Sequence, residues 1–205
     1  MTTLILDPAV EQRIIDQRRT LGLDRFDEVW DGVYVVSPLP NDEHQELVGG
    51  LTTCLTIAIQ YAGRGKVRPG VNVSDRVQGW EQNYRGPDVV VFLNDTKAAC
   101  HGTFWRGGPD FAVEVISRHD RTREKLEFYA GIGTRELLIV DRSPWALELY
   151  RLGDNPTLDL VGRSTLDQPD DLVSLVLALT FRLQPGADRP IIRVEQPAAG
   201  QVWSA

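Results

Sequence analysis

Two carboxylates stand where carboxylates are costly. Asp88 follows Pro87 and heads the apolar run Val89-Val90-Val91-Phe92, and Glu114 interrupts the run Phe111-Ala112-Val113-Glu114-Val115-Ile116. An ionised carboxylate alone in an apolar strand is destabilised unless something compensates it. A divalent cation shared by both acids would do so. An arginine could instead balance Glu114, and Asp88 could simply cap the turn after Pro87. Unusual burial of an acid points more often to function than to structure. Lys125 follows, four residues before Tyr129 and on the same helical face. Most helical lysines are solvated, but this helix starts just past the Glu114 run. Its first turn can overhang a bound cation, where an ammonium could orient a water or offset charge on a phosphate. An Asp, a Glu and a Lys so placed are the parts of a metal-dependent phosphodiester hydrolase.

Weaker candidates surround this set. Arg118, His119, Arg121 and Arg123 make the 118–125 segment locally positive despite Asp120 and Glu124. That suits phosphate contacts or, equally, an ordinary mixed-charge helix entrance. His44 lies in line with Leu47, Val48 and Leu51 and should face the interior or a cleft; such a histidine is commonly a hydrogen-bonded core residue. Glu46 could reach a cation through water, and His101 has no motif around it. No phosphate-binding glycine loop, GxGxxG, HExxH or GxSxG pattern occurs.

The elements that must position these residues read as follows. Asp7-Pro8 starts a helix over 8–19 with Val10, Ile14 and Ile15 inward. Residues 26–37 form a hairpin about Asp31-Gly32, a type I′ signal. Asn41 or Asp42 caps a helix to about residue 62, its apolar line running through Leu47, Val48, Leu51, Cys54, Leu55, Ala58 and Tyr61. Strands are expected at 66–74, 88–93, 111–117, 136–140 and 146–151, with an edge strand at 157–162 and a helix at 120–130. A loop covers 94–109, and 172–183 could be helix or strand. The strand–helix–strand unit over 111–140 makes its two strands parallel. The Pro-, Gly- and Ala-rich residues after Pro185 suggest a loosely held tail.

The totals exclude several classes. The 205 residues are 42% hydrophobic and 25% charged, an ordinary globular composition of single-domain size. No apolar run reaches the roughly 18–20 residues of a membrane span, and the first residues lack a secretory signal. Two cysteines, Cys54 and Cys100, give neither a disulfide framework nor metal-type spacing. The formal net charge of −7 argues against a general nucleic-acid coat protein, though not against a nuclease with a local basic patch.

Five segments taken in order carry a family resemblance. Asp31-Gly32-Val33-Tyr34-Val35-Val36-Ser37-Pro38 with His44, then Pro87-Asp88-Val89-Val90-Val91, then Glu114-Val115-Ile116-Ser117, then Glu124-Lys125-Leu126-Glu127-Phe128-Tyr129, and finally Glu136-Leu137-Leu138-Ile139-Val140-Asp141 resemble the motifs of the Uma family. That family is grouped with the PD-(D/E)XK restriction-endonuclease-like phosphodiesterases. The likeness spans roughly residues 20–185. It implies an α/β fold: a restriction-endonuclease-like core with a mixed central sheet flanked by helices, preceded by an N-terminal helix and hairpin. It implies Asp88 and Glu114 as the acids, Lys125 as a lysine moved onto the following helix, and His44 as a recurring histidine. The superfamily's usual lysine, two residues after the second acid, would fall at Ile116. Phe128 and Leu137-Leu138 stand where the family often has Leu and Tyr-Trp.

The expected protein is thus a Mg²⁺-dependent DNA endonuclease, with Mn²⁺ as a possible substitute. Asp88, Glu114 and the Val115 carbonyl would hold the metal. Arg118, Arg121, Arg123 and Tyr129 are candidate substrate contacts. One domain spans 1–185 with an extension over 186–205. A homodimer would serve two-strand cleavage, no membrane is involved, and the cytoplasm is the default compartment. A catalytically weak nuclease-fold module that binds DNA or a protein, and a small-molecule hydrolase or isomerase using the same acids, are the alternatives.

Overall fold

The computed structural model describes residues 8–37, 39–116 and 121–205. In chain order, helix α1 (Pro8–Thr20) precedes the hairpin strands β1 (Glu28–Trp30) and β2 (Val33–Val35), and helix α2 (Asp42–Leu55) follows. Next come β3 (Gly65–Pro69), β4 (Asn72–Ser74), β5 (Tyr84–Arg85), β6 (Val89–Leu93), β7 (Ala99–Cys100), β8 (Phe104–Arg106) and β9 (Phe111–Ile116). A 3₁₀ turn (Thr122–Lys125) runs straight into helix α3 (Leu126–Gly131), then β10 (Glu136–Arg142), β11 (Trp145–Leu152) and β12 (Leu158–Thr165). Strands β13 (Leu172–Ser174), β14 (Leu179–Gln184), β15 (Ile191–Gln196) and β16 (Gln201–Ser204) finish the chain.

The central sheet has the order β12-β11-β10-β9-β6-β3. Only β9 and β10 are parallel, joined by the crossover through α3, so the sheet is mixed as expected. Side chains alternate across it. Val89, Val91, Phe111, Val113 and Val115 enter one core with Leu47, Leu51 and Leu55 of α2. Val90, Phe92, Ala112 and Ile116 enter a second core with Tyr129 and Ala130 of α3. Both faces are apolar because both are covered. The second sheet, β2-β1-β5-β4-β8-β7, carries the hairpin. Its turn has positive φ at Asp31 and Gly32, the type I′ geometry the Asp-Gly pair selects.

Several expectations are corrected. Val10 is exposed rather than inward. The line ending α2 drifts: a π-helical turn (Thr56–Gln60) with Tyr61 N bonded to Thr56 O rotates Ile59 into the core and leaves Tyr61 exposed. Residues 66–74 are two strands in different sheets, parted by a left-handed Gly70. The expected loop 94–109 holds the small antiparallel pair β7–β8. Residues 172–183 are two strands joined by a turn, and the tail is not loose. Strands β13-β14-β15-β16 form a meander whose Leu179, Phe181, Ile192 and Val194 are fully buried in the first core. Ala205 lies so close to α2 that a Cβ on Gly50 would come within 2.9 Å of it, which is why a glycine stands there. Among the described residues no helix is long and apolar enough to cross a membrane.

Candidate functional site

The antiparallel register that pairs Val89 with Val113 puts Asp88 across from Glu114, one step along both strands. Two acids distant in sequence thus become cross-strand neighbours at the open end of β6. Asp88 Oδ2 accepts the Val115 backbone N–H at 2.7 Å, fixing its carboxylate to the neighbouring strand. Asp88 Oδ1 lies 3.0 Å from His44 Nε2. His44 is in the first turn of α2, whose N-terminus Asn41 caps by accepting the His44 N–H. The histidine therefore faces the cleft.

Glu114 shares a face with Ala112 and Ile116, inside the second core, and is 4% exposed. Its Oε1 accepts the Tyr129 hydroxyl at 2.5 Å and the Lys125 ammonium at 3.1 Å. Its Oε2 takes no hydrogen bond from a described residue. Burial pushes the Glu114 carboxyl up to about 8; Lys125 opposes this, while the nearby Asp88 and Glu28 charges add to it. Burial next to Glu114 likewise holds the Tyr129 phenol well above its ordinary range.

Lys125 ends the 3₁₀ turn leading into α3 and bridges two acids. Its Nζ lies 3.1 Å from Glu114 Oε1 and 2.9 Å from Glu28 Oε1. Glu28 comes from β1 in the other sheet. It also accepts the Gly86 N–H at 2.9 Å and the Trp30 indole N–H at 2.6 Å. Nearby, Arg85 is sandwiched 4.7 Å from the Trp30 ring centroid and 4.1 Å from that of Phe128, which ties β1 to α3. Burial lowers the Arg85 pKa, and its Nε has no partner among the described residues.

Glu28, His44, Asp88, Glu114, Val115 and Lys125 line one cavity of about 390 Å³, together with Asn41, Thr122 and Arg142. Arg142 reaches it from the end of β10, its guanidinium on Ile116 O, Asn41 Oδ1 and Glu43 Oε2. Sequence reasoning passed over Glu28 and Arg142. The only signal for Glu28 was an acid in a strand-forming hairpin, and nothing marked Arg142.

Other sequence candidates fall elsewhere. Arg123 is paired with Asp141 and Glu148 at 2.9 and 3.0 Å, and Arg121 with Glu124. Of the expected positive patch, the two described members are thus both paired with acids. Tyr129 is fully buried and serves Glu114 instead of touching a substrate. Glu46 points away from the cavity to Arg189, 3.0 Å off. Cys54 is a core residue and His101 an exposed one stacked on Phe104. Arg118, His119 and Asp120 lie outside the described residues. Among the described residues no three His, Cys, Asp or Glu side chains form a ready-made metal cage.

The fold is similar to the crystal structure of "a putative nuclease belonging to DUF820" from Anabaena variabilis ATCC 29413, with a TM-score of 0.55 over 73% of this chain and 80% of that one. The two sequences are 15% identical, so the likeness concerns the fold alone. No curated protein matches the chain. The Uma2 family model, described as "Putative restriction endonuclease", matches residues 23–186, and the chain belongs to that family.

Proposed function

We propose that the chain is a divalent-metal-dependent endonuclease that hydrolyses DNA phosphodiester bonds in the cavity between Asp88, Glu114 and Lys125. One observation carries this reading. An ammonium stands 3.1 Å from a buried carboxylate that faces a second acid across the strands, although the strand position that usually bears the lysine is Ile116.

The donors suit a hard cation. Glu28, Asp88 and Glu114 supply three carboxylates around the single Lys125 ammonium, and burial, reinforced by the Asp88 and Glu28 charges, pushes the Glu114 carboxyl up to about 8. A nearby dication would favour the ionised form. Two protein carboxylates with the remaining positions left to water and substrate match the habit of Mg²⁺, with Mn²⁺ as a substitute. Asp88, Glu114 and the Val115 carbonyl would hold it. When bound, such a cation supplies Lewis acidity toward the scissile phosphate and an acidified water.

The chain's own groups do the rest. Tyr129 and Lys125 both donate to Glu114 Oε1, which leaves Oε2 for the cation. The Val115 N–H and His44 hold Asp88 in place. Lys125 positions the attacking water or offsets charge growing on the phosphate. A homodimer would bring two such sites to the two strands of a duplex, and the cytoplasm is the compartment where we expect it. Asp88→Ala combined with Glu114→Ala should abolish Mn²⁺-dependent nicking of supercoiled DNA; retained nicking refutes this mechanism.

A second reading is a nuclease-fold module that binds DNA or a protein without cutting; its protein-binding form is favoured by the net charge of −7 and by the pairing of Arg121 and Arg123 with acids. Calorimetric titration separates the two, because a binding module need not take up Mg²⁺ or Mn²⁺.

A further inference from the structure

One buried carboxylate at the cavity is given no role of its own by the proposed mechanism. Glu28 belongs to the hairpin sheet, outside the strands that carry Asp88 and Glu114, and its side chain is 4% exposed. Three donors converge on it: Lys125 Nζ and Gly86 N on Oε1, and the Trp30 indole on Oε2. Two of these are rigid N–H groups. Trp30 is two residues along the same strand, hence on the same face as Glu28. Its ring is in turn held against Arg85, which stacks on Phe128 three residues after Lys125. The carboxylate is therefore fixed from several sides before it meets the ammonium.

We propose that Glu28 is a positioning residue: it grips the Lys125 ammonium together with Glu114 and sets where that charge sits. A lysine on a flexible four-carbon stem samples many rotamers unless something holds its ammonium. Two anchors from two different sheets, at 2.9 and 3.1 Å, remove that freedom where one would not. The hairpin sheet thus supplies part of the site. The catalytic consequence rests on the nuclease reading, whereas the pairing itself does not.

The test uses the full chain with Glu28→Gln, Lys125→Met and both, each shown to be folded by its urea midpoint. Lysine ammonium groups labelled with ¹⁵N are observed by NMR, and the Lys125 signal is identified by its loss in Lys125→Met. That signal should exchange slowly in the wild type and shift or broaden in Glu28→Gln. In Mn²⁺-dependent nicking of supercoiled plasmid, Glu28→Gln should slow the reaction about 10- to 100-fold, as loss of a supporting partner does. The half-saturating Mn²⁺ concentration should not change, and the double variant should be no slower than Lys125→Met. A raised half-saturating Mn²⁺ concentration, additive losses, or an unmoved Lys125 signal overturns the proposal. If the wild type does not nick DNA, the nuclease reading falls and the NMR result alone decides on Glu28. If Glu28→Gln does not fold, Trp30→Phe removes the indole donor instead and should also move the Lys125 signal; no movement overturns the proposal.

Discussion

Replacing Glu114 by Gln should turn a pH-dependent site into a pH-independent one. In the folded, metal-free chain the carboxyl titrates near 8, against 4.5 for an ordinary glutamate. Between those values the folded state keeps a proton that the unfolded state has released. The associated stabilisation is fully present below about pH 4.5 and is lost as pH rises through 8. One proton corresponds to about 1.4 kcal/mol per pH unit, so the site can lose up to about 3 kcal/mol between pH 5.5 and 7.5. Glutamine keeps an oxygen for Tyr129 and Lys125 but does not titrate. Urea unfolding of both proteins in chelator at pH 5.5, 6.5 and 7.5 gives the difference, from which titrating groups remote from Glu114 cancel. Glu114→Gln should gain steadily on the wild type as pH rises. Excess Mg²⁺ should flatten the wild-type slope. A difference that stays constant across that range would refute the claim that burial, outweighing Lys125, governs this carboxyl.

Three further outcomes are expected. Asp88→Asn retains an acceptor for the Val115 N–H, so it should cost no more than about 1 kcal/mol of stability while abolishing Mg²⁺ uptake in calorimetry. Tyr129→Phe removes a buried donor from Glu114; it should cost about 1–3 kcal/mol in urea unfolding and move the Glu114 titration further upward, read by ¹³C-carboxyl NMR. Truncation after Pro185 removes the fully buried Ile192 and Val194 and uncovers β14. Each such side chain contributes roughly 1.5–3 kcal/mol by burial, so the shortened chain should fail to show a cooperative unfolding transition by circular dichroism.

Local chemistry made part of the fold legible. The Asp31-Gly32 turn, the parallel pair β9–β10 and the apolar face of α2 each follow from spacing and a few residue types. What escaped depended on distant partners. Nothing near Ile191 or Trp203 says that a Pro- and Gly-rich tail will pair into a meander over the first core; that comes from the uncovered apolar face left by α2 and β14. The same holds at the cavity. Asp88, Glu114 and Lys125 stood out as charges in apolar settings. Glu28 did not, because a three-residue strand gives no sign of which sheet it joins or what it meets. Arg123 looked like part of a basic patch because its partners, Asp141 and Glu148, arrive from elsewhere in the chain, whereas Arg121 pairs with Glu124 inside the same segment.

The displaced lysine has a geometric logic of its own. Residues two apart in a strand share a face, so a lysine at position 116 would have pointed to the same side of the sheet as Glu114. In this chain Ile116 fills that place and is 2% exposed within the second core. The segment that covers this same face is the 3₁₀ turn and α3, and Lys125 descends from it onto Glu114. The ammonium therefore arrives on the required face by a different route. The change of route has a cost in placement, because a lysine on a covering turn is not constrained by the sheet's register. A compensating anchor from a third element is what such an arrangement calls for, and Glu28 is the only carboxylate besides Glu114 that the described residues place within 3.1 Å of Lys125 Nζ. Moving the lysine back, by Ile116→Lys with Lys125→Met, should then make activity insensitive to Glu28→Gln. If Glu28→Gln remains as damaging in that background, Glu28 does not act through the ammonium.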